Sequence, residues 1–372
     1  MIRARLRQLH TFTSGSEILY LSFLALIILE LLVQKPLSRF PAYVDWNTIG
    51  TLSGLLLITT AIKESNFFSY LACRLSKGFR DERKLALFLI FTSAFLSMFL
   101  TNDIALFIIV PLTLSLQKIS GTDYVKFIVF EALAVNVGSA LTPIGNPQNI
   151  FLWHQWDISF LAFIKAMAPM VGIQAFFLLL LSMLVFPAKK IASGSNKREK
   201  VNRTHFGIAL FLFILFLISL ELHYDLFFLP LLFLIFLWHR PQVIKDADWK
   251  LIVLFIVIFI DVHLLYRLSI VNHFMQTLQL QSQNRLFVSG IMLSQIISNV
   301  PATLFLAKYS HAFKTIAYAV NVGGNGLFLA SFANIIALHF TANGNKYRYF
   351  HRYSLLYLIL TATSIFFLLP WL

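Results

Sequence analysis

The chain has a single cysteine, Cys73, in 372 residues, which excludes an intramolecular disulfide and any multi-cysteine metal site. Its histidines are scattered without metal-ligand spacing. No His-Glu-x-x-His, Gly-x-Ser-x-Gly or phosphate-binding loop occurs, so nothing supports an enzyme or an organic cofactor. Charge is scarce as well: 12% of residues are Asp, Glu, Lys or Arg, against roughly 25% in soluble domains. No soluble domain is visible.

Apolar residues take that place. They make up 58% of the chain, which includes 39 Phe and has a mean hydropathy of +0.77; this is the composition of an all-α polytopic membrane protein. Apolar runs long enough, or nearly long enough, to span a bilayer fall at 18–33, 46–62, 124–152, 160–186, 206–221, 225–238, 249–265, 315–338 and 353–371. Two further apolar stretches, 85–117 and 286–313, are interrupted by polar residues and read as re-entrant hairpins. The expected architecture is about nine full spans plus two hairpins.

The net charge of +14 is a topology signal and not a nucleic-acid footprint. With the N-terminus in the cytoplasm, 23 of the 30 Lys and Arg residues fall on the cytoplasmic side, as the positive-inside rule requires. Arg3, Arg5 and Arg7 precede the first span without a small-residue cleavage site, so that span reads as a retained anchor. The implied location is a bacterial inner membrane. Residues 187–204 form the one clear linker and divide the chain into an N-terminal unit, 1–186, and a C-terminal unit, 205–372. Segments 66–83 and 267–283 are amphipathic and too polar to cross, which places them along the interface.

The two units repeat each other. Ala134-Val135-Asn136-Val137-Gly138 recurs as Ala319-Val320-Asn321-Val322-Gly323, and Asn149-Ile150 recurs as Asn334-Ile335, all at an offset of 185 residues. Seven identities in a 17-residue window stand against about one from composition. Asp45-Trp46 is matched by Asp248-Trp249, and Thr101-Asn102 by Ser298-Asn299. Four crossings precede the linker and an extra span, 206–221, follows it, so the second unit is inverted relative to the first. Glycine and asparagine at matching places in two halves indicate broken helices, 124–152 and 315–338, around a binding site.

The polar interruptions supply the candidate site. Thr101-Asn102-Asp103 separates two apolar arms; one continuous helix there would be roughly 48 Å long, well beyond a core of about 30 Å. Two half-length arms place Asp103 near the membrane centre, where an unpaired carboxylate costs at least about 2.5–3.5 kcal/mol. A sodium ion or a proton near Asp103, Asn102 and Asn299 would relieve that; a structural carboxylate capping a half-helix is the alternative. In Thr142-Pro143-Ile144-Gly145-Asn146-Pro147-Gln148-Asn149, prolines and glycine free backbone groups for a ligand, and such backbone survives in lipid only where it lines a cavity. The second unit answers with Gly323-Gly324-Asn325-Gly326, followed by Ser331 and Asn334. Glu131 lies inside a span, either lining the pathway or relaying protons or serving packing alone. Asp261 and His263 read as an interfacial pair, with a proton relay as the alternative.

Together the Thr-Asn-Asp tip, Leu141 to Asn149, Ser298-Asn299-Val300-Pro301 and Asn321-Val322-Gly323-Gly324 resemble the ion transporter superfamily, which includes arsenite exporters, citrate transporters and divalent anion/sodium symporters. The resemblance covers roughly residues 45–340. It implies a dimeric, inverted-repeat, elevator-type carrier with two related ion sites flanking an anion. One would use Thr101, Asn102 and Asp103 with Gly138 and Asn146; the other would use Ser298 and Asn299 with Gly323 and Asn325. Asn136, Thr142, Gly145, Asn149, Asn321, Gly324, Ser331 and Asn334 complete the candidate binding set. Many carboxylate symporters carry Ser-Asn-Thr at both tips, and Asp103 brings this chain closer to the arsenite exporter branch. The expected function is ion-coupled transport of a small anion or oxyanion. A sodium/proton antiporter and a transport-inactive membrane binding or scaffold protein are the alternatives.

Overall fold

The structure, a computed structural model, describes residues 15–33, 37–67, 70, 74, 79, 81–120, 124–190, 201–341 and 345–371. Cys73, the N-terminal arginines, the middle of the linker and most of the 66–83 stretch lie outside them. Among the described residues the chain is helical, and its β structure is one bridge between Asp81 and Lys190.

The helices before residue 187 are α1 (Gly15–Val33), α2 (Trp46–Glu64), α3 (Glu82–Phe99), α4 (Asn102–Ser120), α5 (Val125–Ser139), α6 (Pro147–Trp156) and α7 (Phe160–Val185). After the linker come α8 (Arg203–Glu221), α9 (Asp225–His239), α10 (Pro241–Asp246), α11 (Trp249–Arg267), α12 (Ser269–Thr277), α13 (Gln283–Ile297), α14 (Asn299–Leu306), α15 (Phe313–Gly323), α16 (Phe332–His339) and α17 (Lys346–Leu368). Local chemistry sets many of these starts. Asp45 accepts from the backbone N–H groups of Asn47 and Thr48 at the head of α2. Asn146 caps α6, with Pro147 at its first position, where a missing N–H costs nothing.

Two groups of helices emerge. In one, α2 packs on α8, α9 and α10, and α11 packs on α1. In the other, α3 lies along α5, α13 lies along α15, and α16 and α17 close over α5. The groups meet where α2 touches α4 and α6, and where α11 touches α14. By length and apolar composition, four helices of the described residues are able to cross a bilayer: α7, α8, α11 and α17. Their outer faces carry exposed Phe176, Leu184, Phe211, Ile214, Ile359 and Phe367, side chains suited to lipid and not to water. The chain is an integral membrane protein.

Both interrupted stretches are broken where polar residues predict. The first breaks at Leu100-Thr101 and the second at Ser298, and in each the flanking helices pack on one another. Arm length differs from expectation. α3 and α4 have 18 and 19 residues, about 27–29 Å each, so they are nearly bilayer-length and not half-length. The reason is that the helices continue through polar ends: Asp81 caps α3 through the Lys84 N–H at 3.0 Å, ahead of the apolar run. In the second stretch the arms have 15 and 8 residues.

Asp261 and His263 do not form a pair. Residues two apart on a helix point to different faces: His263 stacks on Tyr43, ring centres 3.8 Å apart, while Asp261 is buried and its Oδ1 has no partner among the described residues. The α12 helix carries the amphipathic pattern expected for 267–283, with Met275 buried and Ile270 and Phe274 exposed.

Candidate functional site

The two broken helices bring their gaps together. α5 ends at Ser139 and α6 begins at Pro147; α15 ends at Gly323 and α16 begins at Phe332. Across the gaps Asn136 Nδ2 donates to Asn334 Oδ1 at 3.0 Å, and Asn321 Nδ2 donates to Asn149 Oδ1 at 2.8 Å. The reverse bonds also match: Asn146 donates to Asn321 Oδ1 at 3.1 Å, and the Ser331 hydroxyl donates to Asn136 Oδ1 at 3.2 Å. Every residue in the first bond of each pair has its counterpart 185 positions away in the second.

The 185-residue relation extends to backbone. Asn149 Nδ2 donates to the carbonyls of Ser139 and Thr142, at 3.2 and 3.1 Å. Asn334 Nδ2 donates to those of Gly324 and Leu327, at 2.9 and 3.4 Å. These amides replace the helical hydrogen bonds that the breaks remove, so the polar side chains are what allow unwound backbone to exist in this interior.

Glycines let the tips approach. A Cβ on Gly138 would lie 1.9 Å from the Ala94 carbonyl oxygen and 2.4 Å from Ser97 Oγ; one on Gly323 would lie 2.8 Å from Ser294 Cβ. On Gly145 it would lie 2.3 Å from the Ser139 carbonyl oxygen. On Gly324 its nearest neighbour would be Asn299 Nδ2, at 2.9 Å. The first tip is fastened by the Asn102 N–H to the Gly145 carbonyl at 3.1 Å, and by the Thr142 hydroxyl to the Met98 carbonyl at 2.6 Å. At the second tip the Ser298 hydroxyl reaches the Ala330 carbonyl at 3.4 Å, the counterpart of Gly145.

Thr101, Asn102, Asp103 and Asn299 are all buried, and each tip is bonded to the unwound segment of its own broken helix, at the Gly145 and Ala330 carbonyls. Within the asparagine cluster, Asn325 is the exception to full satisfaction. Its Oδ1 accepts from Asn136 at 3.3 Å, while its Nδ2, fully buried, has no partner among the described residues. A buried donor left open at the centre of a polar cluster fits a ligand that accepts hydrogen bonds.

Three participants carry no repeat signature. Gln295 donates to the carbonyls of Gly323 and Asn325, at 2.6 and 3.1 Å, and accepts from the Leu327 N–H at 2.8 Å, bracing the second break. Ser139 accepts from Asn146 at 3.1 Å. Ser354, from α17, accepts from the Gly326 N–H at 2.7 Å. Glu131 stands apart, fully buried, accepting from the Thr113 hydroxyl.

An integral membrane chain whose broken helices enclose a shared polar cluster belongs, by class, among transporters. The family model for citrate transporters matches residues 16–333, so the chain belongs to that family, within the ion transporter superfamily, and is a secondary transporter and not an enzyme. It is 40% identical over 343 residues to the inner membrane protein YbiR of Escherichia coli, covering 92% of each chain. To the uncharacterized transporter MJ0456 of Methanocaldococcus jannaschii it is 37% identical over 336 residues, 88% of this chain and 90% of that one. A 135-residue part, 35% of this chain and 16% of the other, is 29% identical to the human P protein.

Proposed function

We propose that the chain is an ion-coupled carrier of a small anion or oxyanion, built from two inverted repeats and working by an elevator-type alternating-access cycle. Carboxylates such as the citrate in the family's description are the first solutes to try. The observation that carries the reading is the open Asn325 Nδ2 inside the crossed asparagine cluster, which offers a hydrogen bond to an acceptor. The α6 start adds a favourable helix dipole for negative charge. In this reading the α3–α4 and α13–α14 tips move with the solute as one unit past α2 and α11, in a homodimer.

The coupling ion, sodium or proton, belongs at Asp103 with the adjoining Thr101 and Asn102, and Asn299 of the second tip is the candidate partner from the other half. Among the described residues no three His, Cys, Asp or Glu side chains cluster as metal ligands. A sodium ion would therefore be held by one carboxylate and by amide, hydroxyl and backbone oxygens, the hard donors it prefers. Proteoliposome uptake of citrate and of a panel of oxyanions, with and without sodium and at two pH values, tests the reading. Asp103→Asn should leave a folded protein whose flux no longer follows the ion gradient. Ion-driven flux equal to that of the unmodified protein would reject the role of Asp103. Sodium/proton exchange with no anion movement would replace the anion carrier by an antiporter.

A further inference from the structure

Lys63 stands near the end of α2, and its Nζ lies 4.7 Å from the centre of the Phe107 ring. Phe107 follows Asp103 by four residues on α4, which puts ring and carboxyl on one helix face with Cβ atoms about 5–6 Å apart. No carboxylate forms an ion pair with Lys63 among the described residues, so its ammonium rests on an aromatic face. The acids whose fields reach it are Asp103 on α4, Asp248 before α11, Asp246 on α10 and Glu64 on its own helix. α2 and α4 belong to the two different helix groups, and Lys63 therefore faces Asp103 across the surface on which those groups meet.

An ammonium over a ring is held by the ring quadrupole, more strongly where water is excluded. An ionised carboxylate one turn away is a stronger attractor, and the lysine stem is long and flexible enough to move between them. A sodium ion or proton on Asp103 removes that attraction.

We infer that Lys63 is a built-in competitor of the coupling cation: with Asp103 ionised and empty, its ammonium leaves Phe107 and pairs with the carboxylate, latching α4 to α2, and cation loading returns it to the ring. This rests on the reading of Asp103 as the coupling site. The latch sets how much cation is needed before the two helix groups can slide.

Two variants then act in opposite directions. Lys63→Gln removes the competitor, so the sodium concentration or proton activity giving half-maximal citrate uptake should fall about tenfold, the scale on which removing a nearby unit charge acts at intermediate dielectric. Phe107→Leu keeps the competitor but takes away its resting place, so the same midpoint should rise several-fold. Lys63→Arg should stay near the unmodified value. Uptake into proteoliposomes is titrated with sodium at fixed pH and with pH in the absence of sodium. Unmoved midpoints in both folded variants, or shifts in the same direction, overturn the proposal. If uptake by the unmodified protein depends on neither ion, the Asp103 reading itself falls.

Discussion

Asn321 holds Asn149 through a 2.8 Å amide hydrogen bond that joins one broken helix to the other. The same bond recurs 185 residues out of phase between Asn136 and Asn334, at 3.0 Å. Because each amide is buried and also accepts from a helix cap, Asn146 or Ser331, removing one partner strands others in a medium without water. Asn321→Ala and Asn136→Ala should each destabilise the protein in detergent micelles by about 1–3 kcal/mol. A double-mutant cycle on Asn136 and Asn334 should give a coupling of about 0.5–3 kcal/mol. Additive single and double variants would show that the bond is absent in the folded protein.

Gly138 and Gly323 occupy equivalent places, yet their surroundings differ in compliance. The nearest obstacle to a Cβ is backbone, the Ala94 carbonyl, at Gly138, and a serine side chain at Gly323. The overlap is deeper at Gly138, 1.9 Å against 2.8 Å at Gly323, so Gly138→Ala should lower the unfolding temperature more than Gly323→Ala. Equal shifts in thermal unfolding would contradict this.

Much of this arrangement is legible in the amino-acid sequence. The offset repeat locates Asn136, Asn149, Asn321 and Asn334, because a polar amide in a lipid-buried helix must have a partner and a duplicated one suggests a symmetric partner. Helix ends are less legible. Apolar runs mark where lipid begins, whereas helices run on through polar turns, which is why α3 starts at Glu82 and α17 at Lys346. Lys63 and Gln295 are not legible in sequence because their contacts join segments far apart in the chain: Lys63 meets Phe107, and Gln295 meets Gly323 and Asn325. Asp261 and His263 are two apart on α11 and face different ways, because closeness in sequence is not closeness on a helix.

Ser298 has φ +70° and ψ 157°, a backbone region that costs a non-glycine residue about 1–3 kcal/mol. Its hydroxyl makes only long contacts, 3.4 Å to the Ala330 carbonyl and 3.5 Å to Asn299 Oδ1. Strain relief should outweigh these, so Ser298→Gly should raise the unfolding temperature and lower the transport rate at saturating solute. A lower unfolding temperature would show the contacts to be the larger effect.

Asp248, half-buried ahead of α11, has its carboxyl held above the usual carboxylate range chiefly by burial. A carboxyl with a raised folded-state value binds protons more readily folded than unfolded, so its contribution to stability grows as pH falls through that range and is absent at high pH. Asp248→Asn should remove this component, giving a flatter stability profile from neutral pH down to the ordinary carboxylate value. An unchanged profile in unfolding titrations would exclude the residue as its source.

Glu131 tests whether every buried acid in a carrier serves transport. Fully enclosed between α4 and α5, it accepts the Thr113 hydroxyl on one oxygen, while its Oε2 has no partner among the described residues. No residue of the asparagine cluster bonds to it among the contacts described. Thr113→Val should therefore cost about 1–3 kcal/mol, since it strands the remaining carboxyl oxygen. Pairing that change with Glu131→Leu should recover most of the loss, because replacing both partners by apolar groups of similar shape is nearly neutral. If Glu131 only fills and ties this interior, the double variant transports with the same ion dependence as the unmodified protein. A double variant that folds and carries solute but has lost its response to pH would instead make Glu131 a proton carrier in its own right.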